Sequence, residues 1–72
     1  MPVPTLQPAQ RDVYDSLRRY PRTAEQVAID TGYSGNTIRP RLRELEDRGL
    51  IRRSTKTRRT LSGRRAAVWE VV

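Results

Sequence analysis

The stretch NTIRPRLRELEDRGLI, Asn36 to Ile51, carries side chains of the types that read the edges of stacked bases. An arginine fork such as that of Arg39 or Arg43 matches the paired acceptors of guanine, an asparagine amide such as Asn36 matches adenine, and a small apolar ring such as Pro40 suits a thymine methyl. A second group lies downstream. From Arg48 to Arg65 there are eight basic residues and no acidic one, among them Lys56, Arg58, Arg59, Arg64 and Arg65. Fixed cations at that density suit the neutralisation of phosphates. Bond-breaking chemistry is poorly served. The chain has no His and no Cys, so it lacks the usual general base near neutral pH and any thiolate nucleophile or thiolate metal ligand. Its carboxylates are scattered, and Gly32 and Gly35 lack the spacing of a phosphate-cradling loop. The chain is expected to be no enzyme and to need no cofactor and no metal.

The elements that position these groups follow from periodicity. With Ile38 at zero and 100° per residue, Ile38, Leu42 and Leu45 fall within about 40° of a central direction and form an inner face. Asn36, Pro40 and Arg43 then face the opposite way, flanked by Arg39 on one side and by Thr37 on the other. Glu44, Glu46 and Asp47 gather in the C-terminal half, a segregation of charge that an ordinary solvated face does not require. Ser34 is the predicted N-cap of this third helix, which reaches about Arg48 before Gly49 ends it.

Upstream, Pro8 suits the first turn of a helix over Pro8–Arg19, with Val13 and Leu17, joined by Ala9 and Tyr20, on its inner side. Pro21 stops it. A capping box, Thr23 to Gln26, opens a second helix whose inner side carries Ala24, Val27, Ala28 and Thr31 and which ends at Gly32. The turn GYSG leads into the third helix, and a short helix, a Gly-containing turn and an amphipathic basic helix make a helix-turn-helix pattern. Tyr33 is expected to be exposed in that turn. Past Gly49 the period changes. LIRRSTKT is rich in β-branched residues, and AAVWEVV sets Ala67, Trp69 and Val71 against Val68, Glu70 and Val72. With Ser62-Gly63 as the turn, these segments predict a two-stranded β-hairpin with Ile51, Trp69 and Val71 inward. Trp69 belongs to the core in this register.

Length and charge set the bounds. Seventy-two residues make one small domain that buries only roughly 60% of its extended surface. With 35% hydrophobic residues, no Phe and one Trp, there is no room for a deep substrate cavity. No apolar run approaches the roughly 18 residues of a membrane span, and no secretory leader is visible. Fifteen basic residues against eight acidic ones leave a net charge of +7, which favours a polyanionic partner, nucleic acid before anionic membrane. Fourteen of the fifteen are Arg. Arg suits phosphates and guanine edges, although a GC-rich coding sequence produces the same bias.

Three helices followed by an arginine-tipped hairpin resemble the winged helix-turn-helix layout over residues 8–72. TIRPRLRELEDRGLI in particular is similar to the recognition helix and following strand of small prokaryotic and phage winged-helix proteins. The resemblance implies an α+β fold and sequence-specific binding of double-stranded DNA, as in a transcriptional regulator or phage-type control protein. It places the third helix in the major groove and the wing on the backbone or an adjacent minor groove. The residues it assigns to DNA are Ser34, Asn36, Thr37, Arg39, Pro40, Arg41 and Arg43 on the helix. In the wing they are Lys56, Arg58, Arg59, Arg64 and Arg65; Thr23 and Tyr33 complete the set. Residues 1–7 are expected to be a flexible leader. Many such proteins add a dimerisation helix; here the sequence reaches Val72 just after the wing, so a monomer or weak dimer in solution is expected, with several copies on DNA as an alternative. A cytoplasmic, nucleoid-associated location follows. The rival readings are an excisionase-like DNA-bending factor, a winged-helix module that binds protein, and RNA binding.

Pro40 tests the reading. A proline inside a helix costs about 3 kcal/mol, because it lacks an N–H and its ring strikes the carbonyl four residues back. Here that carbonyl belongs to Asn36, near the fraying end and on the outer face. A compact ring that lets the helix approach bases, with a bend near Arg39, is the functional account of its presence; a helix beginning only at Pro40 is the alternative. Pro40→Ala is expected to melt at the same or a higher temperature while weakening or broadening sequence preference. A lower melting temperature with intact preference would assign the proline to the fold instead.

Overall fold

Pro8 opens the first helix, as expected, and the Gln10 side chain accepts a hydrogen bond from the Gln7 backbone N–H at 3.1 Å. The computed structural model of the chain describes residues 5–72. Its elements run α1 (Pro8–Arg19), β1 (Arg22–Thr23), α2 (Ala24–Thr31), α3 (Gly35–Asp47), β2 (Ile51–Arg59) and β3 (Arg65–Val71). Each helix boundary has a local cause. Thr23 and Gln26 form a reciprocal capping box, Thr23 Oγ1 accepting from the Gln26 N–H at 3.1 Å and Gln26 Oε1 accepting from the Thr23 N–H at 2.9 Å. Gly32 ends α2 at φ 81°, a conformation that costs glycine little and other residues more. Helix α3 begins after Ser34, whose Oγ accepts from the Thr37 N–H at 3.3 Å. Gly49, at φ 74°, reverses the chain after it, with the Leu50 N–H bound to the Leu45 carbonyl at 3.0 Å. Pro40 lies inside α3, so the helix does not wait for the proline to begin.

The core lies between the helices and one face of the sheet. Val13 and Leu17 of α1, Val27 of α2, Ile38, Leu42 and Leu45 of α3, Ile51 of β2 and Trp69 of β3 form one buried cluster. Burying each such side chain contributes about 1.5–3 kcal/mol, so eight residues carry most of what a chain this small can gain. Leu6, Tyr14, Ala24, Ala28, Tyr33, Leu50 and Val71 pack around them.

The sheet differs from the two-stranded hairpin that the sequence predicts. It has three antiparallel strands in the order β1-β3-β2, because Arg22 and Thr23 pair with Trp69 and Val68. That makes β3 the central strand. Val68, on the outward side of the predicted alternation, is therefore 1% exposed; it is flanked on both edges and lies at the floor of a hollow lined by Pro21, Arg52, Ser54 and Arg58. Strand β2 is irregular. Arg53 pairs with Trp69 and Thr57 with Ala67, so Ser54, Thr55 and Lys56 stand opposite Val68 alone. The Ser54 Oγ closes this bulge by accepting from the Lys56 N–H at 3.1 Å.

Two further expectations change. Tyr20, assigned to the inner side of the first helix, is 58% exposed. Arg22 takes the inner place instead, only 8% exposed, with its guanidinium carbon 4.1 Å from the Tyr20 ring centroid. Of the predicted leader, residues 1–4 lie outside the described residues, whereas Thr5 accepts from Arg48 Nη1 at 3.2 Å and Leu6 packs on the core.

Arg22 binds three elements at once. Its Nε donates to the Ser16 carbonyl in the last turns of α1 at 3.1 Å, Nη1 lies 3.7 Å from the Asp30 carboxylate of α2, and its backbone pairs with Trp69. Removing the guanidinium takes this donor from the Ser16 carbonyl, while Asp30 keeps its ion pair with Arg19. Arg22→Ala is expected to cost about 1–3 kcal/mol of stability, measured by chemical denaturation, and Arg22→Lys to recover little because an ammonium lacks the fork. A loss below about 1 kcal/mol would make this contact peripheral.

Candidate nucleic-acid interface

The inner stripe of α3 is fixed by Ile38, Leu42 and Leu45, all buried, and this orients everything else on the helix. Asn36, Arg39, Pro40 and Arg43 are exposed on the other side, and Thr37 is half-buried. Ser34 is exposed, its Oγ 3.2 Å from Thr37 Oγ1, so both hydroxyls are engaged in the cap. The Ser34 carbonyl accepts from the N–H groups of both Thr37 and Ile38 at 3.0 Å, which tightens the first turn.

The three arginines of α3 separate. Arg43 is 75% exposed and lies 3.6 Å from Asp47, itself exposed; such a pair contributes little and releases its arginine readily. Arg39 lines an open groove of about 500 Å³ together with Glu25, Thr60, Ser62, Arg64 and Arg65. Arg41 turns the opposite way. Its Nη2 donates to Glu44 at 2.8 Å, and its Nε lies 2.6 Å from the other carboxylate oxygen without the alignment of a hydrogen bond. Gln10 of α1 donates to the same carboxylate at 3.0 Å. These bonds, Gln10's first, hold Glu44 below the ordinary glutamate pKa. Arg41 thus belongs to the seam between α1 and α3, and not to the outer face.

Two residues assigned to DNA upstream of α3 are spoken for. Thr23 is 2% exposed, so its hydroxyl, whose oxygen accepts within the capping box, is shut away from any phosphate. Tyr33 is half-buried against the core, and its hydroxyl donates to Asp12 of α1 at 2.6 Å; that bond to a carboxylate raises its pKa above the ordinary tyrosine value. Neither presents a free donor to a phosphate.

The wing cations divide into two groups. Arg64 and Arg65 share the groove with Arg39. Lys56 and Arg58 line the other hollow, of about 600 Å³, together with Arg52 and Arg53. Arg52 is bound to Glu70 at 2.8 Å and Arg53 lies over the Trp69 ring at 5.0 Å. Arg59 stands directly across from Arg65 in the ladder, a like-charge pairing that is unfavourable until an anion intervenes. All five predicted wing residues are exposed.

The tip of the wing is held. The Leu61 N–H donates to Glu25 Oε1 at 3.0 Å, and Arg58 Nη1 lies 3.5 Å from Gln26 Oε1, so the wing leans on the start of α2. The sequence pattern marks Glu25 only as part of a capping box, and nothing in it signals this contact. Leu61 is the single apolar residue in RRTLSGRR, which is a readable signal for a tip residue of its own kind.

With this geometry, the chain can be compared with known proteins. No family model matches it, and no curated protein does. Among solved structures it is similar to the homodimeric winged helix-turn-helix DNA-binding domain, fragment 1–100, of a possible ArsR-family transcriptional regulator from Mycobacterium bovis. The TM-score is 0.64 at 22% identity. The match covers 88% of this chain and 52% of the other, so the chain spans about half that protein's length. The fold is a winged helix-turn-helix. Among the described residues no helix is long and apolar enough to cross a membrane, and no group of three His, Cys, Asp or Glu side chains could hold a metal ion.

The split between Arg41 and Arg43 is testable in duplex-DNA binding. Asn36→Ala or Arg43→Ala is expected to weaken binding to a preferred duplex by about 1–3 kcal/mol and to relax selection at one base pair, with the melting temperature unchanged. Arg41→Ala should instead lower stability by about 0.5–1 kcal/mol and leave base preference intact. Equal effects of the two arginines on preference would overturn the assignment of Arg41 to the α1–α3 seam.

Proposed function

We propose that the chain is a sequence-specific double-stranded DNA-binding protein, a small transcriptional regulator or phage-type control protein whose binding domain is residues 8–72. Helix α3 enters the major groove with Asn36, Arg39, Pro40 and Arg43 toward base edges, and the wing lies on the backbone or the adjacent minor groove. The observation that carries this reading is the groove shared by Arg39, Arg64 and Arg65. It makes the outer face of α3 and the wing tip parts of one basic surface, so a single duplex can meet both. Phosphate contacts supply most of the affinity in this scheme and α3 the discrimination.

The fold supports the same reading, and so does the structural neighbour, which is itself a DNA-binding domain of a possible regulator. That neighbour is homodimeric. For this chain a monomer or weak dimer in solution, pairing on DNA when two half-sites are present, agrees with the few large apolar residues exposed among the described residues: Tyr20 and Ile29, which share a small hollow, Leu61 and Val72. A nucleoid-associated location in a bacterial or phage-infected cell goes with this function.

Selection of bound fragments from a random duplex pool tests the proposal directly, because an enriched motif supports it and an absence of enrichment removes sequence specificity. Salt dependence tests the division of labour. If roughly five phosphates are neutralised, log K should fall with log salt at a slope of about −4 to −5. Changing Arg64 and Arg65 together to Ala should flatten the slope by about two units while the selected motif persists. An unaltered slope would take the wing out of the interface.

A further inference from the structure

Leu61 has no role inside the molecule. At 88% it is the most exposed large apolar residue among the described residues, while the turn it occupies is built from other atoms. The Thr60 N–H binds the Arg64 carbonyl at 2.8 Å, the Gly63 N–H binds the Thr60 carbonyl at 2.9 Å, and Thr60 and Ser62 join their hydroxyls at 2.8 Å. Gly63 supplies the positive φ of 84°. Leu61 contributes only its backbone N–H, to Glu25, which any residue but proline would provide. Its side chain is thus held at the apex of a braced turn, in water, between Arg58-Arg59 and Arg64-Arg65.

We propose that Leu61 is a wedge that the wing inserts from the minor groove between two base pairs of duplex DNA, partly unstacking them and bending the duplex. The inference rests on the DNA-binding reading above. A polyanion that four flanking arginines attract offers one apolar surface, the faces of its bases, and these become accessible to a side chain when a step opens in the minor groove. Inserted leucines open such steps and kink the duplex by about 20–90° toward the major groove. The bracing matters, because a wedge on a loose loop would fold aside. Glu25, which holds the tip, belongs to the helix that leads through the turn into α3, and it lines the same groove as Arg39. The step that opens therefore lies at a fixed offset from the bases that α3 meets.

An anionic membrane is the other surface that cationic tips with an apolar apex can enter. A single leucine is a weak anchor there, since even one long acyl chain binds membranes only marginally. The tie from the tip to Glu25, which lines the same groove as Arg39, has no use in a membrane.

The test uses the full chain with a duplex of about 30 bp from the selected pool, a length over which a bend is large against thermal flexing. Dyes at the two ends report the bend by energy transfer, and 2-aminopurine at successive positions reports unstacking. With the native chain, transfer should rise and one 2-aminopurine position should brighten severalfold. Leu61→Ala should return both signals to those of the free duplex, with Kd raised by no more than about tenfold and the melting temperature unchanged. Leu61→Phe should retain the bend. A duplex bent equally by the Ala variant, or left straight by the native chain while bound, overturns the wedge and leaves the DNA-binding reading standing. Failure of the native chain to retain any duplex overturns that reading, and the wedge with it. Retention on phosphatidylserine vesicles that requires Leu61, with the bound duplex straight, assigns the tip to a membrane.

Discussion

The guanidinium of Arg22 ties α1, α2 and the sheet together by polar contacts, in addition to the apolar core that they share. It reaches the Ser16 carbonyl of α1 and the Asp30 carboxylate of α2 while stacking on Tyr20, and its own backbone forms the edge strand beside Trp69. Taking an arginine out of water is costly, and here the carbonyl, the carboxylate and the ring together offset that cost. The consequence runs along the chain. Thr23, the next residue, is both the second residue of β1 and the N-cap of α2, so the place where Arg22 sits determines where α2 begins. From there the helix, Gly32 and the Ser34 cap deliver α3 with little freedom.

Helix α3 then serves two masters by dividing its surface. Ile38, Leu42 and Leu45 commit one stripe to the core, and the rotation this imposes leaves Asn36, Pro40 and Arg43 facing outward. The proline is tolerable because of where it falls. The Asn36 carbonyl, deprived of its donor four residues on, sits in the first turn near water, and the same turn is reinforced by Ser34, whose carbonyl takes two N–H groups and whose hydroxyl takes one of them as well. The cost of Pro40 is therefore confined to a part of the helix that is held from its cap and not from its middle.

Much of this was legible from local pattern. The capping box at Thr23, the glycine stops and the apolar stripe of α3 all depend on residues within a turn of one another, and the sequence shows such relations directly. What stayed hidden depends on neighbours distant in sequence. A two-residue strand such as Arg22–Thr23 has no period to detect, and without it Val68 reads as an outward residue. A helical wheel puts Arg41 about 60° from Ile38 and nearly opposite Arg43; what it cannot show is Gln10, thirty-four residues from Glu44, which helps to fix the carboxylate that Arg41 binds. Tyr33 reads as a free turn residue until Asp12 is seen beneath it. The wing tip is the same case, since its contact with Glu25 spans thirty-six residues.

Charge is distributed by the same long-range contacts. Asp15 faces Arg11 and Arg18, Asp30 faces Arg19 and Arg22, Glu44 faces Arg41, and Glu70 faces Arg52. The carboxylates are thus spent mostly on the helical body and on the base of the sheet. Among the described residues Arg39, Lys56, Arg58, Arg59, Arg64 and Arg65 take part in no salt bridge. The net charge of +7 is accordingly concentrated on one edge of α3 and along the wing. This arrangement works against the isolated molecule, because cations such as Arg59 and Arg65 face each other across a ladder. Salt relieves that repulsion by screening it, yet the same salt weakens any hold on a polyanion. The repulsion and the attraction are two consequences of one unpaired surface, so adding acidic partners to calm the wing would remove the feature that gives it a use.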